Sequence, residues 1–392
     1  MENTTRPLFT LYIVWHPSNE NGGEVADVLR RRFGRDRHRN IAGDPGLSVI
    51  YRSEMAPGEL VPLSIDWDEA ETTAVVVLVD SALAGDTAWS NYVRELSRNA
   101  QTRGRLLARL FPVVMEPGGR ELQLEEQALR WDRWEESNVD REQRLVSNLT
   151  YEFSRMLRYR LDLHRRPEIA EAPFPDYLKN FQMFISHSKH DDDGESVARS
   201  SRDWLHENSA LSSFFDVYDI PVGLSFREVI LHQIETSAVV VLHTDSYSSR
   251  EWCRREVIEA KRRRVPMVVV DCLRDTDQRS IPYMGNVPIV RMSPDQQDRI
   301  GIVTGCLLDE VFRTYLWRCR VEPFREAYSN VLFTARPPEL ISLATLPGHE
   351  SDAGSAIVYP EPPLGTDEAR LFSEIAPNVR TLTLTEWMEE NP

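Results

Sequence analysis

The octapeptide Glu71-Thr72-Thr73-Ala74-Val75-Val76-Val77-Leu78 has a near copy at Glu235-Thr236-Ser237-Ala238-Val239-Val240-Val241-Leu242. A match of that length is hard to ascribe to chance and marks an internal duplication. Around each copy the same order recurs: an apolar strand running into a histidine (Ile13 to His16, Phe184 to His187), an amphipathic helix, a second strand, a proline-glycine loop, then the duplicated strand. Short apolar, β-branched runs alternating with helical segments predict a parallel sheet covered on both faces. The expected fold class is therefore α/β, with two doubly wound parallel-sheet domains in tandem.

The second copy reads in more detail. Strands are expected at Phe181–Ser186, Phe214–Val217, Ala238–His243, Val265–Cys272 and Val287–Val290. Helices are expected around Ser196–Glu207, Ser225–Glu235, Arg250–Arg264 and Asp295–Arg318. Between the copies a helical stripe (Leu145, Leu149, Phe153, Met156, Leu157) is broken by Pro167, Pro173 and Pro175, which places a helical linker over 139–177. The domains are then 1–138, 178–322, and a small acidic, proline-rich α/β appendage over 323–392, where Ala356-Ile357-Val358-Tyr359 and Leu382-Thr383-Leu384 look like strands.

Composition removes several function classes. A net charge of −16 makes the surface a poor partner for nucleic acid or anionic membrane. The acids of the C-terminal part, among them Glu322, Glu339 and Glu361, read as a solvated skin or a partner surface. Cys253, Cys272, Cys306 and Cys319 are irregularly spaced with no C-x-x-C pair, so neither zinc nor a disulfide framework is signalled. No stretch reaches the roughly 20 apolar residues of a membrane span, and the start lacks the basic, long apolar pattern of a signal peptide. A cytoplasmic location is expected. His187, His190 and Asp191-Asp192-Asp193 fit a surface turn better than a metal site, so no metal is expected. The run Lys261-Arg262-Arg263-Arg264 closes a helix, where cations suit the dipole. There is no GxGxxG, P-loop or G-x-S-x-G.

On the helix around Arg250–Arg264, Cys253, Val257 and Ala260 form the core stripe, and Trp252 and Glu256 form an i, i+4 pair beside it. Alone, that pair reads as a half-buried tryptophan beside a solvated glutamate. Its context adds to it, because ligands of doubly wound sheets bind at the carboxyl ends of the strands. The turn Ser186-His187-Ser188-Lys189-His190 and the loop Tyr218-Asp219-Ile220-Pro221-Val222-Gly223-Leu224 both belong to that edge.

Phe184-Ile185-Ser186-His187-Ser188, the loop Asp219–Gly223, and Ser248-Ser249-x-x-Trp252-Cys253-x-x-Glu256 occur in one order over most of 178–322. This stretch resembles Toll/interleukin-1 receptor (TIR) domains, of flavodoxin-like fold. The Trp-Cys-x-x-Glu element is similar to the plant immune-receptor branch and the Ile-Ser-His-Ser start to bacterial members. In enzymatic members the glutamate at the Glu256 position is essential for cleaving the nicotinamide glycosidic bond of NAD. The resemblance therefore implies an NAD+ nucleosidase in which Glu256 is catalytic, yielding nicotinamide and ADP-ribose or a cyclic product. The substrate-binding positions it implies are Phe184, Ser186, His187, Ser188, Asp219, Val222, Gly223, Leu224 and Trp252. NAD+ is substrate here, and no cofactor is expected. Nicotinamide leaves as a neutral pyridine, so one carboxylate suffices without a separate general acid.

By the same resemblance the protein is a bacterial antiviral effector activated by self-association through TIR domains, with a protein or nucleotide trigger left open. Glu256 is expected to stand at an open, wet cleft until a neighbouring subunit closes it. The alternative is a TIR adaptor that assembles and performs no chemistry. The first unit keeps Trp89 but has Val93 four residues on, with Glu95 on another face, and its Pro57-Gly58 loop differs in length. It reads as a degenerate TIR-like domain.

Overall fold

The computed structural model describes residues 6–35, 46–58, 61–103, 106–171, 173–189, 191–207, 215–218, 237–277, 279–296, 299–346 and 355–391. Asp219, Val222, Gly223 and Leu224, and the helix expected at Ser225–Glu235, lie outside them. The chain divides into two compact units, Met1–Leu178 and Lys179–Pro392.

In the first unit, β1 (Phe9–Trp15), β2 (Ser48–Arg52), β3 (Thr72–Val79) and β4 (Ala108–Val114) form a parallel sheet of order β2-β1-β3-β4. Every residue of β1 and β3 is buried, as strands covered on both faces require. One face packs Tyr12, Val14, Val75 and Val77 against Trp89, Val93 and Leu96 of helix Thr87–Arg103. On the other, Phe153 of helix Asn138–Arg165 meets the rings of Phe9, Phe33 and Phe111 at 5.2, 5.1 and 5.7 Å. The stretch read as a linker over 139–177 thus supplies a helix that is one of this unit's own layers.

In the second unit, β5 (Phe181–Ser186), β6 (Phe215–Tyr218), β7 (Ser237–His243), β8 (Met267–Asp271) and β9 (Ile289–Arg291) form a parallel sheet of order β6-β5-β7-β8-β9. The duplication reappears as geometry. Leu11 pairs with Ala74 as Met183 pairs with Ala238, and Val14 with Val77 as Ser186 with Val241. In both sheets the strand beside the first one carries the repeated Ala-Val-Val-Val-Leu segment.

Helix Glu251–Arg262 buries Cys253, Val257 and Ala260 against Phe184, Val239, Val241 and Met267. On the other face, Tyr315 of helix Ile300–Ala327 meets the Phe181 ring at 5.5 Å. That 28-residue helix, about 42 Å long at 1.5 Å per residue, carries Pro323 and continues beyond the five-stranded sheet. Its last turns hold Trp317, Val321 and Phe324 against a three-stranded parallel sheet, β10 (Val331–Phe333), β11 (Ser355–Tyr359) and β12 (Val379–Thr383), in the order β10-β11-β12. Trp387 seals the joint, its ring 5.0 Å from Phe324, 4.9 Å from Tyr328 and 5.5 Å from Phe333.

The acids of the C-terminal part are not uniformly a solvated skin. The Glu322 side chain is 8% exposed, and that of Glu339, 21% exposed, binds Lys261. Among the described residues, no helix is long and apolar enough to cross a membrane.

Candidate active site

Parallel strands present all their carboxyl ends at one edge, and the residues singled out above begin there. Ser186 is the last residue of β5 and only 3% exposed. Its Oγ donates to Glu256 Oε2 at 2.5 Å and lies 2.6 Å from the hydroxyl of Tyr247. Tyr247 is fully buried and its phenol is pushed well above the ordinary range by burial, so it stays protonated. With Ser186 donating to the carboxylate, Tyr247 must donate to Ser186. The result is a directed relay from Tyr247 through Ser186 to Glu256.

Glu256 is 8% exposed, whereas Trp252, one turn earlier, is 54% exposed. This reverses the expectation of a half-buried tryptophan beside a solvated glutamate. An i, i+4 pair is offset by about 40° around the helix, enough for one member to tuck under the sheet edge while the other stays outside. Burial raises the Glu256 carboxyl to about 7, against the lowering pull of the Ser186 hydroxyl and then of the Lys189 charge. The expectation that Glu256 stands in water is therefore corrected. The Arg255 guanidinium lies 5.9 Å from the centre of the Trp252 ring.

The remaining predicted positions separate. Phe184 is 2% exposed and belongs to the core beneath the site. His187 is half-buried, and its carbonyl accepts from the Cys253 thiol at 3.7 Å. Ser188 is buried, with the Ser246 hydroxyl 2.7 Å from its own. Asp191 accepts from the Gly194 amide at 2.6 Å, from the Thr244 hydroxyl at 2.7 Å and from Ser246. It thereby ties the turn after β5 to the turn after β7. His243 Nε2 lies 2.6 Å from Asp277 Oδ2, which also accepts from Ser248. These bonds fix both ends of the turn that launches the Glu256 helix.

Sequence reasoning passed over Tyr247 and Asp277, and read Asp191 only as part of a surface turn and His243 only as a strand end. The available signal was their place just after a strand's carboxyl end. No group of three metal-ligating side chains occurs among the described residues.

The first unit supplies an internal comparison. Val14 stands opposite Val77 as Ser186 stands opposite Val241, and the core stripe Trp89, Val93 and Leu96 matches Cys253, Val257 and Ala260, so Tyr92 holds the position of Glu256. Val14 belongs to that unit's apolar cluster, and the half-buried Tyr92 packs beside it and donates its hydroxyl to the Leu63 carbonyl at 2.8 Å. The same architecture closes without a carboxylate there, so packing alone does not call for one at 256.

No curated protein matches the chain. The solved C-terminal domain of a glucosamine-fructose-6-phosphate aminotransferase from Francisella tularensis aligns at 10% identity over 78% of this chain and 83% of that one, with a TM-score of 0.19, which carries no argument about fold or activity. The TIR domain family matches residues 183–300. That span runs from β5 through the relay and helix of Glu256 to the loop after β9, and over it the chain is a TIR domain.

Proposed function

We propose that this TIR domain cleaves the nicotinamide–ribose bond of NAD+, with Glu256 as the catalytic carboxylate. One observation carries the reading: a buried, hydrogen-bonded carboxyl at the ligand edge of the sheet, where the duplicated unit has Tyr92 and no acid. Burying an acid costs free energy that packing does not recover, and perturbed carboxyls of this kind concentrate at functional sites.

The chemistry suits a single acid. The bond from ribose C1′ to the pyridinium nitrogen breaks with its electron pair going to nicotinamide, which leaves neutral. Positive charge develops on the ribose, and the ionised Glu256 stabilises it at short range in a poorly solvated setting. Water then attacks C1′ and gives up its proton, for which a carboxylate with a pKa near 7 is a matched acceptor. Attack by the substrate's own adenine instead gives a cyclic product. Trp252, exposed one turn away, is the surface on which a flat ring would stack. Ser188 and the half-buried His187 border the same edge.

Within this reading the protein is a cytoplasmic effector that depletes NAD+ in bacterial antiviral defence, and self-association switches it on. Since Glu256 is already desolvated, a neighbouring subunit would contribute a wall over Trp252 rather than burial of the acid. The first unit, with Tyr92 in place of the carboxylate, takes the assembly or sensing role.

The test is nicotinamide release from NAD+ by the full chain, across protein concentrations, for wild type and Glu256→Gln. Loss of about 10²-fold or more in the variant, with folding intact, is expected from removing the charge-stabilising group. No release by wild type at any concentration would favour the adaptor instead.

A further inference from the structure

The basic run that closes the Glu256 helix does more than complement a dipole. Arg264 has φ 55. The amide of Val265 bonds the carbonyl of Ala260 at 3.0 Å, and that of Arg264 bonds Lys261 at 3.0 Å. This is a Schellman stop in which an arginine occupies the left-handed position that favours glycine. Pro266 follows it. Asn286, at φ 56, and Leu106, at φ 81, are the other non-glycine residues with positive φ among the described residues, and Arg264 and Asn286 lie close together.

Both line one cavity of about 70 Å³, between the start of β8 and the three-stranded sheet. Non-glycine residues held in that conformation collect where a ligand is bound. The cavity is at the amino end of β8, whereas Ser186 closes the carboxyl end of β5 in the same parallel sheet, so it is separate from the candidate active site.

Its other charges are already balanced. Lys261 Nζ donates to Glu339 at 2.9 and 3.0 Å and to the Gly285 carbonyl at 2.7 Å. Arg336 grips Glu310 with two nitrogens. Arg264 is the remaining cation of the lining, it is exposed, and no carboxylate pairs with it among the described residues. A guanidinium with no carboxylate partner presents a planar fork of donors that matches an oxyanion bidentately. A volume of about 70 Å³ holds roughly five waters at the 10–15 Å³ each needs, which suits one tetrahedral oxyanion and not a dinucleotide.

We infer that this cavity is a second ligand site, in which Arg264 holds a phosphate group, either free or at the end of a small nucleotide. The site joins the end of the Glu256 helix to the C-terminal sheet. It does not rest on the NAD+ reading.

Calorimetric titration of the full chain in phosphate-free buffer, with inorganic phosphate and separately with AMP, tests it. Saturable one-site binding is expected for at least one probe: phosphate alone identifies the free ion, and binding of AMP identifies a nucleotide. Arg264→Gly should weaken that binding at least about tenfold. The variant should melt no lower than wild type, because glycine is the residue the stop prefers. Arg264→Gln should weaken binding similarly. Absence of saturable binding by either probe, or binding undiminished in Arg264→Gly, overturns the proposal.

Discussion

Glu256 is the residue on which chemistry and stability oppose each other. Its carboxyl ordinarily titrates at 4.5 and is raised to about 7 by burial. Between those values the folded protein holds a proton that the unfolded chain has released. The associated stability is complete below about pH 4.5 and is lost as pH rises through 7, by roughly 3 kcal/mol at 1.36 kcal/mol per unit. Thermal melts from pH 5 to 8 should show this decline in wild type and its removal in Glu256→Gln, which should be the more stable protein at pH 8. Nicotinamide release should run the opposite way, rising through pH 7 as the carboxylate forms. Ser186→Ala deletes a bond that lowers the carboxyl's pKa, so its activity profile should move to higher pH, with the loss concentrated in kcat at neutral pH. An unmoved profile would show that Ser186 does not tune Glu256.

At the scale of elements, the two tryptophan-bearing helices have parted. Trp89 is fully buried and Trp252 is 54% exposed. Trp89→Ala should cost about 3–5 kcal/mol, read by denaturant unfolding of the first unit. Trp252→Ala should change stability by less than about 0.5 kcal/mol yet raise KM for NAD+. A destabilisation by Trp252→Ala as large as that by Trp89→Ala would contradict the exposed placement. The strand–helix–strand order of both units was legible because each element carries its own periodicity. The expected strands at Phe181–Ser186 and Ala238–His243 agree with β5 and β7 to within a residue. The long helix expected at Asp295–Arg318 instead runs from Ile300 to Ala327. Its C-terminal turns are stabilised by Trp387 and the three-stranded sheet, partners distant in sequence, so its own periodicity could not mark that end.

At the scale of the molecule, the three-stranded sheet shares a helix with the TIR sheet, and the two belong to one compact unit. Ending the chain after Tyr328 would uncover Trp317, Val321 and Phe324. The truncated protein should melt lower and aggregate, seen by thermal melts and size-exclusion chromatography, because these side chains bury several kcal/mol of apolar surface. Retention of the full-length melting temperature would show the appendage to be dispensable. The sequence by itself determined the duplication, the parallel α/β class, and the edge at which Ser186, Trp252 and Glu256 lie, since repeats, strand periods and helix spacing are local properties. Only the tertiary structure decided that Glu256 is buried and Trp252 exposed, that Tyr247 and Ser186 hold the acid, and that Arg264 faces a cavity beside the last sheet. Those facts depend on which side chains meet across tens of residues, and solvent exclusion and hydrogen bonding act on that proximity rather than on order along the chain.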